Sequence, residues 1–251
     1  MGSLHMAWKE PWRLKIRRRL RKPFNKVFHR RHYFIARYHG ADFLLQPTGI
    51  GTLEISAKIA EHPELTNFVR CCAHLRPEIF LDIGANIGLY SCILLKNGCV
   101  PRAILFEPDR LNLIQLRANL LINNVLALAE IHDVALGDVA GTSRLVPGKI
   151  DGGFSQIIAD AHLDDGSYEV KIVRLDDALS LSNRTLLIKI DVEHYECHVL
   201  AGMTRTLREN RCLVQIEAFE NRDQVVAMMA EIGYEVVGRF APNFVFDKPN
   251  A

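Results

Sequence analysis

The stretch that decides the fold is FLDIGANIG at residues 80–88, where a hydrophobic run enters a turn that contains two glycines. Gly84 permits a tight turn and the close approach of a ligand, because glycine adopts positive φ without steric cost. Gly88 permits close packing at the start of the helix that is predicted to follow, and free N–H groups at a helix start can receive an anion. The stretch therefore predicts a strand, a ligand-binding turn and a helix.

A second strand with an acid at its end follows this unit. The run ILFEP at residues 104–108 places Glu107 nineteen residues after Gly88. A carboxylate at the end of the second strand of such a unit can accept both hydroxyls of a ribose. The strand, glycine turn, helix, second strand and terminal acid, taken together at this spacing, indicate a cofactor that contains a nucleoside.

Asp82 and Asn86 select among nucleoside cofactors. The dinucleotide fingerprint G-x-G-x-x-G has a glycine where this chain has Asn86, so the close approach of a pyrophosphate is less well provided. Asp82 lies two residues before Gly84 and suits a cationic ligand. S-adenosylmethionine carries both a sulfonium and an ammonium group, and the sequence therefore favours it over NAD.

The rest of the chain predicts an α/β fold, because short β-rich runs alternate with helical runs from residue 79 onward. The predicted strands cover residues 79–83, 103–107, 129–135, 186–192, 212–218, 234–239 and 243–247. The predicted helices cover residues 88–96, 110–122, 195–209 and 222–231. The last two strands are too close in sequence for a parallel crossover and should form an antiparallel hairpin. The prediction is a Rossmann-like sheet of seven mostly parallel strands, with a smaller β-hairpin and a loop between its third and fourth strands.

Composition indicates an ordinary globular protein. The 251 residues are 49% hydrophobic and 24% charged, which excludes an intrinsically disordered chain and collagen. The six cysteines show no C-x-x-C spacing and no secretory segment is predicted, so we expect reduced thiols and a cytoplasmic protein. No run of eighteen apolar residues occurs, and the sequence therefore predicts no membrane span.

Charge divides the chain into parts. Residues 1–6, MGSLHM, resemble a vector-encoded remnant ahead of Met6. Residues 9–31 hold eleven Lys or Arg against the single acid Glu10, whereas acids outnumber bases in the remainder. The predicted organisation is a basic amphipathic arm over residues 7–33, a helical or irregular lead-in over residues 34–78, and an S-adenosylmethionine-dependent domain over residues 79–251.

The arm carries apolar residues every four positions, at Trp8, Trp12, Ile16 and Leu20, and this spacing predicts a short amphipathic helix. Residues 8–31 could lie on an anionic membrane surface, with the tryptophans inserted and the arginines at headgroups. The helix could equally pack on the body of the protein or on the second subunit of a homodimer. Binding to nucleic acid is less favoured, because contacts with phosphates do not require apolar residues at regular spacing.

A series of motifs resembles the FkbM-type S-adenosylmethionine-dependent methyltransferases over roughly residues 50 to 220. They are FLDIGANIGLYS (80–91), FEPD (106–109), LIQLRANLLINN (113–124), VALGD (134–138), VRLDDAL (173–179), IKIDVE (188–193) and VLAGM (199–203). The resemblance implies a class I methyltransferase fold and methyl transfer to an oxygen, often a sugar hydroxyl on a polysaccharide, glycolipid or natural product. It further implies that four residues line the methionine side of the cofactor, with Glu107 at its ribose and Ala135 near its adenine; the four are Asp82, Gly84, Asn86 and Gly88.

Candidate catalytic residues follow the fourth predicted strand. By strand alternation Lys189, Asp191 and Glu193 share one side, and the two acids lie at the carboxyl end, where open parallel sheets bind ligands. Asp191 or Glu193 could accept the proton of a hydroxyl or anchor a sugar hydroxyl. Alternatively, Lys189 and one acid form an internal ion pair while the other acid caps the next helix.

His194 is a further candidate for the general base, and it stands where the family usually has glycine. With His198 and the nearby acids Asp191, Glu193 and Glu217 it could suggest a metal site, but histidines four apart are common on exposed helical faces, and no metal is predicted. Ser155, in a glycine-rich stretch, is a candidate substrate contact, with an ordinary turn residue as the alternative. Asp176 and Asp177 are predicted to cap the helix after them.

The function predicted from the sequence is S-adenosylmethionine-dependent O-methylation of a sugar hydroxyl on a carbohydrate or glycolipid. Two other classes stay open. An RNA methyltransferase would use the basic arm to hold phosphates. A noncatalytic, membrane-associated S-adenosylmethionine-binding module would need the same cofactor motif without an acid–base group.

Overall fold

The computed structural model describes residues 33–46, 63–147, 155–158 and 166–249. Residues 1–6 and the amphipathic helix predicted in the arm lie outside this part of the chain. Within the described ranges no helix is long and apolar enough to cross a membrane.

Strands and short helices alternate along the described residues. The first elements are β1 (Phe34–Tyr38), β2 (Ala41–Leu45), α1 (Pro63–Leu75), β3 (Ile79–Ile83), α2 (Leu89–Lys96), β4 (Ala103–Phe106), α3 (Arg110–Ile122) and β5 (Ala129–His132). Next come β6 (Ala135–Leu136), β7 (Gly141–Val146), β8 (Gln156–Ile158), β9 (Tyr168–Val173) and α4 (Leu175–Ala178). The last elements are β10 (Thr185–Ile190), α5 (Glu196–Gly202), α6 (Thr204–Glu209), β11 (Arg211–Glu217), α7 (Arg222–Glu231), β12 (Glu235–Phe240) and β13 (Asn243–Asp247).

The central sheet has seven strands in the order β12-β13-β11-β10-β3-β4-β5. The five strands from β11 to β5 are parallel, and β13 runs antiparallel to both β11 and β12. This order and the single reversed strand are those of a class I methyltransferase sheet, so the predicted fold class is confirmed. The chain crosses between the two middle strands β3 and β10, and the carboxyl ends there form the crevice in which open α/β sheets bind ligands.

Apolar layers cover both faces of the sheet. One core contains side chains of α1, α2 and α3, such as Phe68, Leu94 and Leu116. The other contains side chains of α5, α6 and α7, such as Leu200 and Leu207. All five residues of β3 are buried, because helices lie on both faces of this strand.

The strand predicted over residues 129–135 is wrong in its second half. Strand β5 ends at His132, and Ala135 and Leu136 begin β6 in a second sheet of order β6-β9-β7-β8. Both residues of β6 are buried and pair in parallel with β9, so their packing against β9 replaces continuation along the edge of the central sheet. This four-stranded sheet stands where a smaller hairpin and a loop were predicted.

The helix predicted over residues 195–209 is two helices, α5 and α6, which meet at Met203. Asp176 was predicted to cap a helix that begins directly after it, but it lies inside the short helix α4. Its carboxylate instead accepts the backbone N–H groups of Arg205 at 2.8 Å and Thr206 at 2.9 Å, and so caps α6. Asp177 is exposed beside Arg174.

The lead-in over residues 34–78 contains a β-hairpin as well as helix α1, and not only helical or irregular chain. Side-chain amides of α3 bind the backbone of β2 at Leu44. Asn119 Oδ1 accepts the N–H of Leu44 at 2.8 Å, and Gln115 Nε2 donates to the carbonyl oxygen of Leu44 at 2.6 Å. One turn further along α3, Asn123 does the same for the backbone of Asp42. These amides supply the hydrogen bonds that a neighbouring strand supplies in a sheet, which fixes the hairpin on the domain.

Candidate active site

A cleft opens at the carboxyl ends of β3, β4, β10 and β11. Seven of the ten residues predicted for the site line it, namely Gly84, Asn86, Glu107, Ala135, Ser155, Asp191 and Glu193. Asp82, Gly88 and His194 do not line it. The cleft is bounded at one side by Ile157 of β8 and by Leu136, so the second sheet forms part of its wall.

Glu107 lies at one end of this cleft, immediately after β4, and its carboxylate is 5% exposed. Oε2 accepts the backbone N–H of Asn86 at 2.7 Å, and Oε1 accepts the N–H of Asp109 at 2.8 Å. Burial raises the pKa of Glu107 to about 7, although these hydrogen bonds oppose the change. Oε1 also accepts the side-chain amide of Asn112, at the longer distance of 3.4 Å. Of the about four acceptor sites of a carboxylate, one therefore remains free and a second is held only by this long hydrogen bond, so these two are the sites that ligand hydroxyls can use.

Asn86 faces the same end of the cleft from the turn after β3. Its backbone adopts φ of 50°, and its N–H is held by Glu107. Its side-chain Oδ1 is buried and has no hydrogen-bond partner among the described residues. A buried polar atom without a partner is costly, so this acceptor fits a donor group of a bound ligand.

The two glycines of the turn serve close packing. Gly84 has φ of 79°, and a Cβ there would lie 1.8 Å from the backbone oxygen of Asp191, so only glycine allows the turn to pass the end of β10. Gly88 has φ of 81°, and its Cβ would meet Leu116 of α3 at 2.4 Å. Gly84 therefore shapes the cleft floor, whereas Gly88 contacts α3 and not the cleft.

Asp82 lies beneath the cleft and not on its surface. It is 2% exposed and accepts the hydroxyl of Ser91 at 2.5 Å. Burial raises the pKa of Asp82, and the neighbouring Lys189 opposes that change. Asp82 therefore does not line the methionine side of the cleft, contrary to what the resemblance implied, because its carboxylate is buried against Ser91.

Lys189 is the cation of this buried layer. Its side chain is 7% exposed, and Nζ donates to Oδ2 of Asp191 at 2.6 Å. The ammonium also lies 4.8 Å from the centre of the Tyr90 ring. The Tyr90 hydroxyl accepts a hydrogen bond from Gln215, which is itself fully buried. The internal ion pair considered in the sequence analysis is therefore present, between Lys189 and Asp191.

Glu217 is a cleft residue that the sequence suggested only as one of the acids near a possible metal site, and not as a catalytic or binding residue. It ends β11, and the pairing of Ile190 with Ile216 places it beside Asp191, which follows β10. The two carboxyl groups share a hydrogen bond, and burial together with the charge of Asp191 raises the pKa of Glu217 to about 8. The signal that could have identified it is its position at a strand's carboxyl end, the same signal that selected Asp191.

Strand β10 ends at Ile190, so strand alternation does not place Glu193, and that part of the prediction is wrong. Glu193 and His194 adopt φ of 50° and 75°, which turns the chain sharply after the strand. Glu193 still lines the cleft, whereas His194 is exposed with its ring 6.0 Å from that of Phe219. The backbone at position 194 is left-handed, a conformation that glycine, the residue implied there by the resemblance, adopts without strain.

Replacing His194 with glycine is expected to stabilise the fold by about 1 kcal/mol, because a side chain at positive φ is strained and glycine is not. The His198→Gly variant is the matched control, since His198 lies within α5 and glycine destabilises a helix interior. Urea denaturation measures both. A loss of stability in His194→Gly would show that the imidazole makes a contact worth more than the strain.

Ser155 and Ala135 also line the cleft. The Ser155 hydroxyl donates to Oδ2 of Asp109 at 2.8 Å, while Oδ1 of Asp109 caps α3 through the N–H of Leu111. Ser155 thus links the second sheet to the FEPD motif as well as lining the cleft. Ala135 is 4% exposed and gives the wall an apolar patch.

The described residues contain no group of three or more His, Cys, Asp or Glu side chains that could hold a metal ion. His198 is directed to Asp138, with Nδ1 3.0 Å from Oδ1, and its ring stacks on Tyr195. His194 and His198 therefore do not converge on the acids of the cleft.

Comparison with known proteins agrees with this geometry. The model of the FkbM methyltransferase domain matches residues 82–236. The 31-O-demethyl-FK506 methyltransferase FkbM of Streptomyces tacrolimicus is 28% identical over 213 residues, which are 70% of this chain and 80% of that protein. The hexuronic acid methyltransferase AglP of Haloferax volcanii is 24% identical over 161 residues, which are 61% of this chain and 62% of that protein.

Among solved structures, methyltransferase FkbM of Methylobacillus flagellatus KT aligns with a TM-score of 0.49 and 16% identity. The alignment covers 78% of this chain and 60% of that one. The family match spans more than half of the chain and contains every cleft residue described above. The protein is a member of the FkbM methyltransferase family, and its cofactor is S-adenosylmethionine.

Proposed function

We propose that this methyltransferase transfers its methyl group to a hydroxyl of a carbohydrate-containing acceptor. The observation that carries the proposal is the distribution of polar groups in the cleft. Asn86 and Glu107 follow β3 and β4, whereas Asp191, Glu193 and Glu217 follow β10 and β11 on the other side of the crevice. The first side suits a nucleoside, and the second offers carboxylates to a hydroxyl. The name of one relative, a hexuronic acid methyltransferase, supports a carbohydrate acceptor, and the name of another, a 31-O-demethyl-FK506 methyltransferase, supports transfer to an oxygen.

Glu107, Asn86 and Ala135 would hold the cofactor. The carboxylate of Glu107 accepts the two ribose hydroxyls with its remaining lone pairs, and the unpaired Oδ1 of Asn86 accepts a donor. Ala135 offers an apolar surface to the adenine. Bound S-adenosylmethionine supplies an electrophilic methyl group on a positively charged sulfur.

The acidic side of the cleft would act on the acceptor. Glu193 and Ser155 line the cleft on either side and can orient sugar hydroxyls by accepting their hydrogen bonds. The proton of the reacting hydroxyl needs one carboxylate acceptor. Since methyl transfer to oxygen requires alignment and at most one proton acceptor, positioning by these residues should supply much of the acceleration.

Cofactor affinity is expected to fall as the pH is lowered through about 7, the pKa to which burial raises Glu107. The ionised carboxylate accepts both ribose hydroxyls, so a protonated Glu107 must lose its proton before the cofactor binds. Cofactor affinity therefore rises with pH until Glu107 is fully ionised, and it is constant at higher pH. Calorimetry with S-adenosylhomocysteine over this range checks the slope. The Glu107→Gln variant should bind S-adenosylhomocysteine more weakly, and its affinity should not depend on pH over this range. An unchanged slope in that variant would show that another group causes the pH dependence.

The acceptor class is tested by mass spectrometry of glycans and lipids from cells with and without the gene. We expect methylated sugars that disappear with the gene and return with the wild-type protein. A methyl group lost from RNA instead would favour the RNA methyltransferase. If no methyl group is lost from any fraction, the noncatalytic S-adenosylmethionine-binding module is favoured.

For the basic arm we propose contact with an anionic membrane surface. In a noncatalytic module this arm would be the main binding element.

A further inference from the structure

The acid–base group of the cleft is a pair and not a single carboxylate. Asp191 and Glu217 follow neighbouring parallel strands, whose last paired residues are Ile190 and Ile216. Both line the cleft, and their carboxyl groups share a hydrogen bond. Two neighbouring carboxyl groups do not both ionise freely, and the charge of Asp191 is balanced by Lys189, so Glu217 is the member that keeps its proton to higher pH.

The two members of the pair have different surroundings. Asp191 is anchored from below, because its Oδ2 accepts the buried ammonium of Lys189 at 2.6 Å. Glu217 is joined to that ion pair through Asp191. It lies at the end of β11, next to β10 in the sheet. The Lys189–Asp191 pair therefore positions Glu217, whose carboxyl group lines the cleft beside that of Asp191.

Charges around Glu217 come from several elements. The groups that act on it directly are Asp191, Lys189 and Glu193, and burial of its side chain is the largest effect. Further groups around the layer are Asp82 on β3, Tyr90 on α2, Glu64 on α1, which accepts the amide of Asn243, and the exposed His194. Acids outnumber the one lysine in this set, so the ionised form of Glu217 is disfavoured until positive charge enters the cleft.

We propose that Glu217 takes the proton of the acceptor hydroxyl, with Asp191 as its positioning residue; this rests on the proposed methyl transfer to oxygen. The hydroxyl O–H bond breaks as its oxygen bonds the methyl carbon, the carbon–sulfur bond breaks with its electron pair left on sulfur, and the proton passes to Glu217. The ionised carboxylate and the cationic sulfur thus become a neutral carboxyl and a neutral thioether. Glu217 returns its proton to solvent before the next turnover.

With Glu217 as the proton acceptor, the ionisation of its carboxyl group depends on the charge of the methyl donor. A cationic sulfur in the cleft favours the carboxylate, whereas the neutral sulfur of S-adenosylhomocysteine does not. Binding of S-adenosylmethionine near neutral pH should therefore release more protons than binding of S-adenosylhomocysteine. Protons released by Glu107 on binding the ribose are common to both ligands and cancel in the difference.

The first experiment measures this difference by calorimetry in buffers of different ionisation enthalpy, without any acceptor. The wild-type protein should release up to one more proton with S-adenosylmethionine, and Glu217→Gln should abolish the excess. The matched control is Glu220→Gln, which removes the same charge from an exposed position outside the cleft and should keep it. Equal proton release for the two ligands in the wild-type protein would overturn the proposal.

The second experiment measures methyl transfer. Glu217→Gln should lower kcat by about a hundredfold or more, as for loss of a general base, and should remove the rise of kcat with pH below the raised pKa of Glu217. Glu217→Asp should recover part of the rate together with the rise. Full activity in Glu217→Gln would overturn the proposal while leaving the methyl-transfer function intact. One further outcome separates the two proposals. If no hydroxyl acceptor is found, but the wild-type protein shows the proton difference and Glu217→Gln does not, the acceptor assignment fails and the link between Glu217 and the methyl donor stands.

Discussion

Replacing Glu107 with alanine is expected to weaken S-adenosylmethionine binding by about two to four orders of magnitude. The carboxylate is the group that the structure offers to the ribose, and each hydrogen bond to a charged group contributes about 1.5–3 kcal/mol. Two such bonds amount to about 3–6 kcal/mol, at about 1.4 kcal/mol for each tenfold change. The loss should be similar for S-adenosylhomocysteine, because the two ligands share the ribose.

Calorimetry on the purified full chain measures this effect. Glu130→Ala is the matched control, because Glu130 is an acid on the neighbouring strand β5 that pairs with Arg102 and His132 outside the cleft. Its affinity should equal that of the wild-type protein. Unchanged affinity in a folded Glu107→Ala protein would mean that the ribose lies elsewhere and would remove the assignment of this end of the cleft.

Replacing Asp191 with asparagine is expected to lower methyl transfer by about a hundredfold or more while cofactor affinity changes little. Asparagine cannot balance the buried ammonium of Lys189, and it no longer holds Glu217 through a carboxyl–carboxyl hydrogen bond. Removing one partner of a buried ion pair costs about 3–5 kcal/mol, so the free energy of unfolding should fall as well. Measuring stability and kinetics on the same preparation separates the two effects.

A shift of the pH profile distinguishes positioning from a merely structural role. The negative charge of Asp191 raises the pKa of Glu217, so its removal lowers that pKa and moves the rise of kcat to lower pH. Asp223→Asn is the control, because the side chain of Asp223 is 97% exposed. An Asp191→Asn protein with a lower rate and an unshifted profile would show that Asp191 acts on folding alone.

The central sheet could be predicted from the sequence because its signals are local. The buried run at 79–83 and the glycine turn after it identify β3, and the short link around Pro242 identifies the reversed C-terminal hairpin. Helices α3 and α7 begin and end at the predicted residues. Each of these elements is specified by its own apolar pattern and end residues.

The parts that were missed depend on contacts far apart in sequence. Strand β2 pairs with β1 on one side, but its other side is bound by amides of α3 more than seventy residues away, which no local pattern reveals. Ala135 continues an apolar run but pairs with Ile172, so only the fold separates β6 from β5. Asp176 similarly binds the start of a helix that lies beyond β10.

The candidate site divides in the same way. Glu107, Asn86 and Asp191 could be selected because each follows a strand in a recognisable motif. Glu217 follows its strand without such a motif, and its importance arises from the register that places it beside Asp191. The burial of Asp82 and the exposure of His194 also required the structure, because both depend on the turns at Gly84 and Glu193.

The most direct test of the account is transfer of an isotopically labelled methyl group from S-adenosylmethionine by the purified protein to acceptor fractions from cells. Mass spectrometric fragmentation then locates the label, and alkali separates a methyl ether, which survives, from a methyl ester, which is hydrolysed. The account predicts a label on an alkali-stable sugar oxygen with the wild-type protein and almost none with Glu217→Gln. A label on a carboxyl group, on a nitrogen or on RNA would contradict it.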